Sequence, residues 1–267
     1  MGADIKSLRT RIQSVDSTLH LTKAMGLVAS SKIRKANIAM FNSRKYAASL
    51  EDMIELLKSS PECRKSPYMR DTGADRTRLV VIAGDRGLAG GYNANVFKLL
   101  QNYPEAQVIA IGKRVCDRYG SPFVSSEHFT TEDALALAHS LCEEFLEDKF
   151  DRLGIISSKY ISMMTQEARV KWLLPLDRED SKENSSILFE PDEQEILRAA
   201  VPEYVGGILT ASVRESFACE VAARRMAMDS AGKNAQQMID DLKLAYNRAR
   251  QGAITQEITE IVAGSGN

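Results

Sequence analysis

Residues 5–40 read "IKSLRTRIQSVDSTLHLTKAMGLVASSKIRKANIAM", and apolar or small side chains recur among them at alternating steps of three and four. This spacing is a heptad seam, which predicts a left-handed coiled coil. Because residues 5–58 contain no proline, the sequence predicts one helix about 80 Å long. The seam positions are Ile5, Leu8, Ile12, Val15, Leu19, Thr22, Gly26, Ala29, Ile33, Ala36 and Met40.

The other end of the chain carries a second seam, and residues 207–262 also lack proline. Two seams at opposite ends of one chain can pair as antiparallel helices, with the intervening residues inserted as a separate domain. Small residues on both seams let the backbones approach closely and gain dispersion contacts. The positions of this second seam are Ala231, Ala235, Met238, Leu242, Ala245, Ala249 and Gly252.

The middle of the chain has the pattern of an α/β domain. Four apolar runs, at 78–83, 107–111, 152–157 and 168–175, predict strands, and residues 132–148 predict a helix. Strands that alternate with helices favour a largely parallel sheet. The predicted fold class is therefore α/β: a long antiparallel two-helix coiled coil from the chain termini, with an inserted Rossmann-like α/β domain. We predict a coiled-coil shaft formed by 1–60 and 206–267, an α/β foot domain at 76–205 and a linker at 61–75.

An acidic segment precedes the second long helix. Residues 177–195 contain eight acidic residues against Arg178 and Lys182. We interpret it as a solvated loop, with a strand at 186–190 ("SILFE") and a helix that begins after Pro191.

A glycine-rich loop, "GDRGLAGGYNAN" at 84–95, follows the first predicted strand. It lacks the GK[ST] of a phosphate loop, and its glycines do not follow the G-x-G-x-x-G spacing of dinucleotide-binding loops. The sequence therefore predicts that the glycines serve a tight turn and that the loop binds no nucleotide. We expect Asn93 to cap the next helix, and Asp85 and Arg86 to be exposed at the loop tip, where they can contact another subunit.

Composition argues against several classes of protein. No apolar run approaches the roughly 20 residues of a membrane span, and the first residues lack the apolar core of a secretory signal. The cysteines and histidines are too scattered for a metal or redox site, so no cofactor or metal is predicted. They are Cys63, Cys116, Cys142, Cys219, His20, His128 and His139.

The first helix is strongly basic, with nine Lys or Arg and one acid, Asp16, between residues 5 and 50. An acidic protein surface or a nucleic acid would complement this charge, but no nucleic-acid-binding motif or aromatic platform accompanies it. Two alternatives stay open on the residues alone. A dinucleotide-dependent enzyme would bind its cofactor tightly, and a basic nucleic-acid binder would show steeply salt-dependent retention on DNA.

Three stretches resemble the gamma subunits of F-type ATP synthases. They are "LTKAMGLVASSKIRKA" at 21–36, "GDRGLAGGYNAN" at 84–95 and "RMAMDSAGKNAQQMIDDLKLAYNRARQGAITQEITEIVAG" at 225–264. The last stretch follows the family's C-terminal helix almost position for position. Gly84 stands where the family usually has serine, and Ala89 where it usually has cysteine.

The resemblance implies a rotor shaft without catalytic residues of its own. Expected partners are the alpha and beta subunits of the catalytic head, the epsilon subunit and the membrane c-ring, with no nucleic acid. It implies a peripheral location on the cytoplasmic face of a bacterial membrane, reached only through the complex; a mature organellar chain is the alternative.

The resemblance also carries over individual contact residues. Arg250, Gln251 and Thr255 correspond to the group that meets an acidic catch loop of beta. Basic residues of the first helix would face acidic parts of the head, and Met25 would lie on the neck of the shaft with Arg225 beside it. These basic residues are Arg9, Lys23, Lys32 and Arg34.

Overall fold

The computed structural model describes residues 2–70, 73, 76–123, 125–177, 190 and 192–264. The first helix, α1, spans Gly2–Lys58 and confirms the single long helix predicted for 5–58. None of its eleven seam residues is exposed, and Met40 is fully buried. Two short 3-10 helices, Cys63–Lys65 and Pro67–Met69, follow α1.

The four predicted strands are all present. They are β1 (Thr77–Ile82), β2 (Gln107–Ile111), β3 (Arg152–Tyr160) and β4 (Gln166–Leu174). They form one sheet in the order β2-β1-β3-β4. β1 pairs with β2 and β3 in parallel, whereas β4 pairs with β3 in the antiparallel sense. The sheet is thus largely parallel, as the alternation of strands and helices predicted.

Three helices connect the strands: α2 (Tyr92–Leu100), α3 (Lys113–Tyr119) and α4 (Thr131–Leu146). α4 begins with a capping box in which the Thr130 hydroxyl and the Asp133 carboxylate satisfy each other's backbone amides, which explains its sharp start. Asn93, expected to cap α2, does not do so. Gly91 occupies the cap, because the Asn93 Oδ1 accepts a hydrogen bond from the Gly84 amide at 2.9 Å.

The sheet is covered on both faces. On one face, Val80, Ile82 and Ile155 pack with residues of α1, α4 and the last helix. On the other face, Leu79, Val81 and Ile156 pack with α2 and α3. Because alternate residues of a strand point to opposite faces, the continuous apolar runs of β1 and β3 indicate strands buried on both sides.

The last helix, α5, spans Glu193–Gly264 and passes through Pro202 without ending. The sequence predicted its start after Pro191 and its seam beyond residue 207, but not that these were one helix. The buried side of its C-terminal half differs from the predicted seam. Met238, placed on the seam, is 44% exposed, whereas Ile239 is 3% exposed. Ala245 and Gly252 are also exposed, so the prediction was wrong at these three positions.

The chain divides into two compact units. The coiled-coil unit consists of Met1–Ser30 and Arg224–Asn267, and the sheet unit consists of Ser31–Ala223. In the coiled-coil unit, Leu19 packs with Ala235 and Ile239, while Gly26 lies against Arg225 and Met228. Higher numbers in α1 therefore meet lower numbers in α5, so the two helices are antiparallel, as predicted.

The sheet unit contains its own antiparallel contact between α1 and α5. Met40 packs with Ala218, and a Cβ on Gly207 would lie 2.1 Å from the Leu50 Cδ1. The predicted boundaries of shaft, foot and linker stay a prediction. Within 61–75, however, Cys63, Tyr68 and Met69 are buried in the main core. The strand predicted at 186–190 and most of the acidic segment lie outside the described residues.

Candidate partner-contact surfaces

The glycine-rich loop lies where an α/β sheet of this kind often holds a ligand. β1 lies between β2 and β3 in the sheet. The chain runs from β1 to β2 on one side and then crosses to β3 on the other side, so the loop after β1 lies at a topological switch point. Here the space is filled from within the chain. Glu220 of α5 is 2% exposed, and a Cβ on Gly84 would lie 2.7 Å from its Cδ.

Glu220 also accepts a hydrogen bond from a backbone amide of this loop. Its Oε1 accepts from the Arg86 amide at 3.4 Å, while the Gly84 amide is already bonded to Asn93. A buried carboxylate beside these amides disfavours a phosphate through like-charge repulsion. The geometry supports a structural role for the loop. The sequence did not predict the role of Glu220. It lies 134 residues after Arg86, and no local sequence pattern connects residues so far apart.

Asp85 is half-buried rather than exposed at the loop tip, contrary to the expectation. Its carboxylate accepts from the Ser125 hydroxyl at 2.6 Å and from the amides of Ser126, Glu127 and Lys113. Burial alone raises the pKa of Asp85, but these hydrogen bonds outweigh burial and hold its pKa below the usual range. Asp85 therefore ties the loop to the segment after β2.

Between β1 and α2 the exposed residues are Arg86, Leu88, Gly90 and Gly91, so Arg86 and Leu88 are the exposed side chains of the loop. Leu88 is 62% exposed and has a φ of 59°, which is unfavourable for a side chain that is not glycine. An exposed leucine held in such a conformation is a candidate contact that the sequence interpretation did not single out. Its only signal in the sequence is an apolar residue within a glycine loop.

The predicted basic contacts of α1 differ in their surroundings. Arg9, Lys23 and Arg34 are exposed. Lys32 is half-buried and forms an ion pair with Glu127, and its Nζ also lies 6.0 Å from the ring centre of Phe217. The charge of Lys32 is therefore balanced within the chain, and the other three are the better candidates for an acidic partner.

Arg225 lies in the coiled-coil unit next to the predicted neck residue Met25. Its Nη1 donates to the Gly26 carbonyl at 3.1 Å, and Met25 itself is half-buried. Lys23 and Arg225 also line one groove between α1 and α5 together with Asp229 and Lys233. The structure thus brings Lys23 and Arg225 together.

The end of α5 is the most exposed of the predicted contact regions. Arg250, Gln251 and Thr255 are all exposed, and the Thr255 hydroxyl donates to the Gln251 carbonyl at 2.9 Å. Among the described residues, no carboxylate pairs with Arg250. Beside this polar group lie exposed apolar side chains, and an exposed apolar stripe is typical of a surface covered by a partner. These side chains are Ile254 (46%), Ile258 (56%), Ile261 (70%) and Val262 (65%).

Comparison with known proteins identifies the family. The family model described as ATP synthase matches residues 4–266. The ATP synthase gamma chain of Ruminococcus albus is 37% identical over 284 residues, which cover 99% of both chains. That of Alkaliphilus metalliredigens is 37% identical over 285 residues, again 99% of both.

The chain belongs to the ATP synthase gamma chain family.

Solved structures share the fold of this chain at lower identity. The rotor of the Euglena gracilis mitochondrial ATP synthase contains a chain with a TM-score of 0.69 and 17% identity, covering 95% of this chain and 100% of that one. The central stalk and c-ring structure of the Tetrahymena thermophila mitochondrial ATP synthase contains one with a TM-score of 0.59 and 20% identity, covering 79% and 99%. The predicted fold is therefore confirmed. No helix in the described residues is long and apolar enough to cross a membrane.

Proposed function

We propose that this gamma chain is the central rotor stalk of its ATP synthase. It turns inside a head of alternating alpha and beta subunits and rests with the epsilon subunit on the membrane c-ring. It performs no covalent chemistry and contributes no catalytic residue. It is peripheral on the cytoplasmic face of a bacterial membrane and reaches the membrane only through the complex.

The observation that carries this proposal is the exposed end of α5. The polar group Arg250, Gln251 and Thr255 and the apolar residues Ile254 and Ile258 are exposed on the same few helical turns. A guanidinium can bond a carboxylate through two parallel hydrogen bonds, whereas Gln and Thr add neutral bonds of defined direction. This combination fits an acidic catch loop of beta for the polar group and an apolar surface of the head for Ile254 and Ile258.

The stalk would act through its asymmetry. Two antiparallel helices present different side chains around the circumference of the coiled-coil unit, so the three beta subunits cannot all make the same contact with it. A contact that is stronger with one beta conformation shifts that subunit's population toward it, by no more than the difference in binding free energy. Rotation would exchange these contacts and so drive binding, synthesis and release of ATP in turn.

The basic residues of α1 would support this contact electrostatically. Arg9, Lys23 and Arg34 are exposed cations that complement acidic surfaces of the head. At physiological ionic strength such an interaction is screened over about 8 Å, so these residues act only on surfaces close to the stalk. The exposed loop residue Arg86 is the corresponding candidate contact in the foot.

The test is the double variant Arg250→Ala/Gln251→Ala in the assembled complex. We expect ATP hydrolysis and coupled ion pumping to fall, because the differential contact with beta is lost. The complex should still assemble, because both side chains are exposed. A matched control, Lys243→Ala/Asn247→Ala, removes one charge and one amide from exposed positions on the same helix.

Rates of hydrolysis and pumping in membranes that carry each variant decide the matter. Full activity and full coupling of the Arg250/Gln251 variant would show that these side chains do not transmit torque. An equal loss in the control variant would show that any change on this helix is harmful, and would remove the specific role of Arg250 and Gln251.

A further inference from the structure

A cleft of about 440 Å³ lies in the sheet unit between α1, the β3–β4 edge and α5. This volume is within the range of small-molecule sites, about 300–1,000 Å³. Among the described residues, the lining of the cleft includes none of the proposed contact residues of α5 or of the glycine-rich loop, so the proposed rotor function does not account for it.

Strand register places three cations side by side on one face of the sheet. In the β3–β4 pairing, Arg169 is opposite Ser157 and Lys171 is opposite Ile155. Ile155 packs in the core shared with α1 and α5, and residues two apart on a strand share a face. Lys159, Arg169 and Lys171 therefore all point to this face, and Lys159 is a diagonal neighbour of Arg169.

Charge in the cleft is not balanced. Arg44 of α1 adds a fourth cation to the lining, and two carboxylates accompany the four. Glu215 accepts from the Arg44 Nη2 at 2.7 Å, and Glu51 pairs with Lys171. Both carboxylates are thus engaged with other cations. Glu167 is opposite Lys159 in the strand register, but within the described part of the chain neither Lys159 nor Arg169 forms an ion pair with a carboxylate.

Arg169 also has an unsatisfied buried donor. Its Nε is buried and has no hydrogen-bond acceptor. Buried donors in native proteins are nearly always bonded, so an orphaned one on an arginine requires an explanation. An acceptor that brings its own negative charge would satisfy the donor and balance the surplus cations at once.

We propose that this cleft binds a phosphate-type oxyanion, held by Arg169 and Lys159. A tetrahedral oxyanion offers several acceptors to the guanidinium fork and to the ammonium. A compact oxyanion is favoured over an extended acidic protein segment, because the cleft of about 440 Å³ has the size of a small-molecule site. The phosphate group can belong to a free anion or to a lipid headgroup.

Thermal unfolding of the full-length chain tests the site. A ligand that binds only the folded state raises the unfolding temperature, and above its Kd the stabilisation grows with the logarithm of the ligand concentration. We expect inorganic phosphate to raise this temperature above that in sodium chloride at the same ionic strength. Vesicles of phosphatidylglycerol in phosphatidylcholine, compared with phosphatidylcholine alone in a flotation assay, distinguish a lipid headgroup from free phosphate.

The variant Arg169→Gln separates binding from folding. Because the Arg169 Nε has no partner to lose, the variant should unfold in chloride at the parent temperature or above, yet lose the response to phosphate. Lys159→Gln, at an exposed position, should require about tenfold more phosphate for the same rise in unfolding temperature. Lys98→Gln removes an exposed charge from α2 on the opposite face and should respond like the parent.

Several results would overturn the proposal. One is that the unfolding temperatures in phosphate and in chloride are equal and that the chain does not bind anionic vesicles. Another is that Arg169→Gln and Lys159→Gln both respond to phosphate as strongly as the parent. A third is that Lys98→Gln loses as much of the response as these two variants. Binding of a hexaglutamate peptide without any response to phosphate would also reject it, in favour of an acidic protein partner.

Discussion

At the scale of single residues, Glu220 decides the role of the glycine-rich loop. Its buried carboxylate lies against Gly84 and accepts from the Arg86 amide, so the loop is filled by the chain itself. Serine, the usual family residue at position 84, would bring its Cβ within 2.7 Å of the Glu220 Cδ. Gly84 is thus suited to the present position of Glu220.

The loop should therefore bind no nucleotide. In the Arg169→Gln background, which removes the proposed oxyanion cleft, titration calorimetry with millimolar ATP, ADP or NAD should give no saturable heat, because Glu220 repels phosphate from the loop. A micromolar isotherm that disappears in Gly87→Ala would instead restore the reading of a dinucleotide-dependent enzyme.

Asp85 should contribute stability that depends on pH. Since the folded-state pKa of Asp85 is lowered below its usual value of 3.8, the stabilisation is present above that value and is lost as pH falls through the folded-state pKa. At pH 7, Asp85→Asn should lower the free energy of unfolding by about 1–3 kcal/mol, because buried amides lose a charged acceptor.

Urea unfolding at pH 7 and at pH 3 measures this effect. The difference between Asp85→Asn and the parent should shrink at the lower pH, which lies below the unfolded-state pKa of 3.8, so that the parent must release a proton to fold. Asp117→Asn, at an exposed position on α3, is the control and should be close to neutral at both values. A deficit in Asp85→Asn that stays constant with pH would contradict the role of the charge.

At the scale of elements, the two long helices pack closely because glycines on each helix lie opposite larger side chains of the other. A Cβ on Gly26 would lie 3.3 Å from the Arg225 Nη1 and 3.7 Å from the Met228 Cβ, whereas Gly232 lies against Thr22 and Leu19. Gly26 thus faces larger side chains and not an alanine or glycine. Each glycine instead admits a larger side chain of the opposite helix.

Gly26→Leu should overpack this contact. We expect it to lower the free energy of unfolding by about 1–3 kcal/mol, since Arg225 and Met228 must move. Gly252→Leu is the matched control, because nothing lies within 4 Å of a Cβ at that position. Thermal or urea unfolding of the two variants makes the comparison; if Gly26→Leu unfolds no earlier than Gly252→Leu, the close-packed seam is wrong.

At the scale of the whole molecule, stability and proposed function reside in different parts of α5. The buried residues of its C-terminal half include Ala235 and Ile239, whereas residues 254–264 are all exposed. Exposed residues contribute little to folding. The last turns are therefore available for contact with other subunits.

Truncation after Gln251 should separate the two properties. The isolated chain should unfold within about 2 °C of the parent, because the removed residues bury little. In the assembled complex, ATP hydrolysis should fall, because the apolar part of the contact with the head is missing. A truncated chain that unfolds much earlier would assign these residues to the core, and full ATPase activity would remove them from the contact.

Local periodicity was enough to predict the elements. The alternating steps of three and four in α1 and the apolar runs of β1 to β4 each lie within a short window of sequence. Such local patterns of apolar residues are enough to recognise a helix or a buried strand. The sequence predicted less well which face of α5 is buried. Small residues such as Ala231 and Ala245 occur on several faces of that helix, so composition did not distinguish Met238 from Ile239.

Residue types and their spacing were enough to predict the α/β class, the two long terminal helices and the basic character of α1. The three-dimensional structure was needed to show that Asp85 is held by Ser125, that Glu220 fills the loop after β1, and that Lys159 and Arg169 share a cleft with Arg44. These contacts join residues far apart in the chain. Hydrogen bonding and charge balance act through space, so no local pattern carries them.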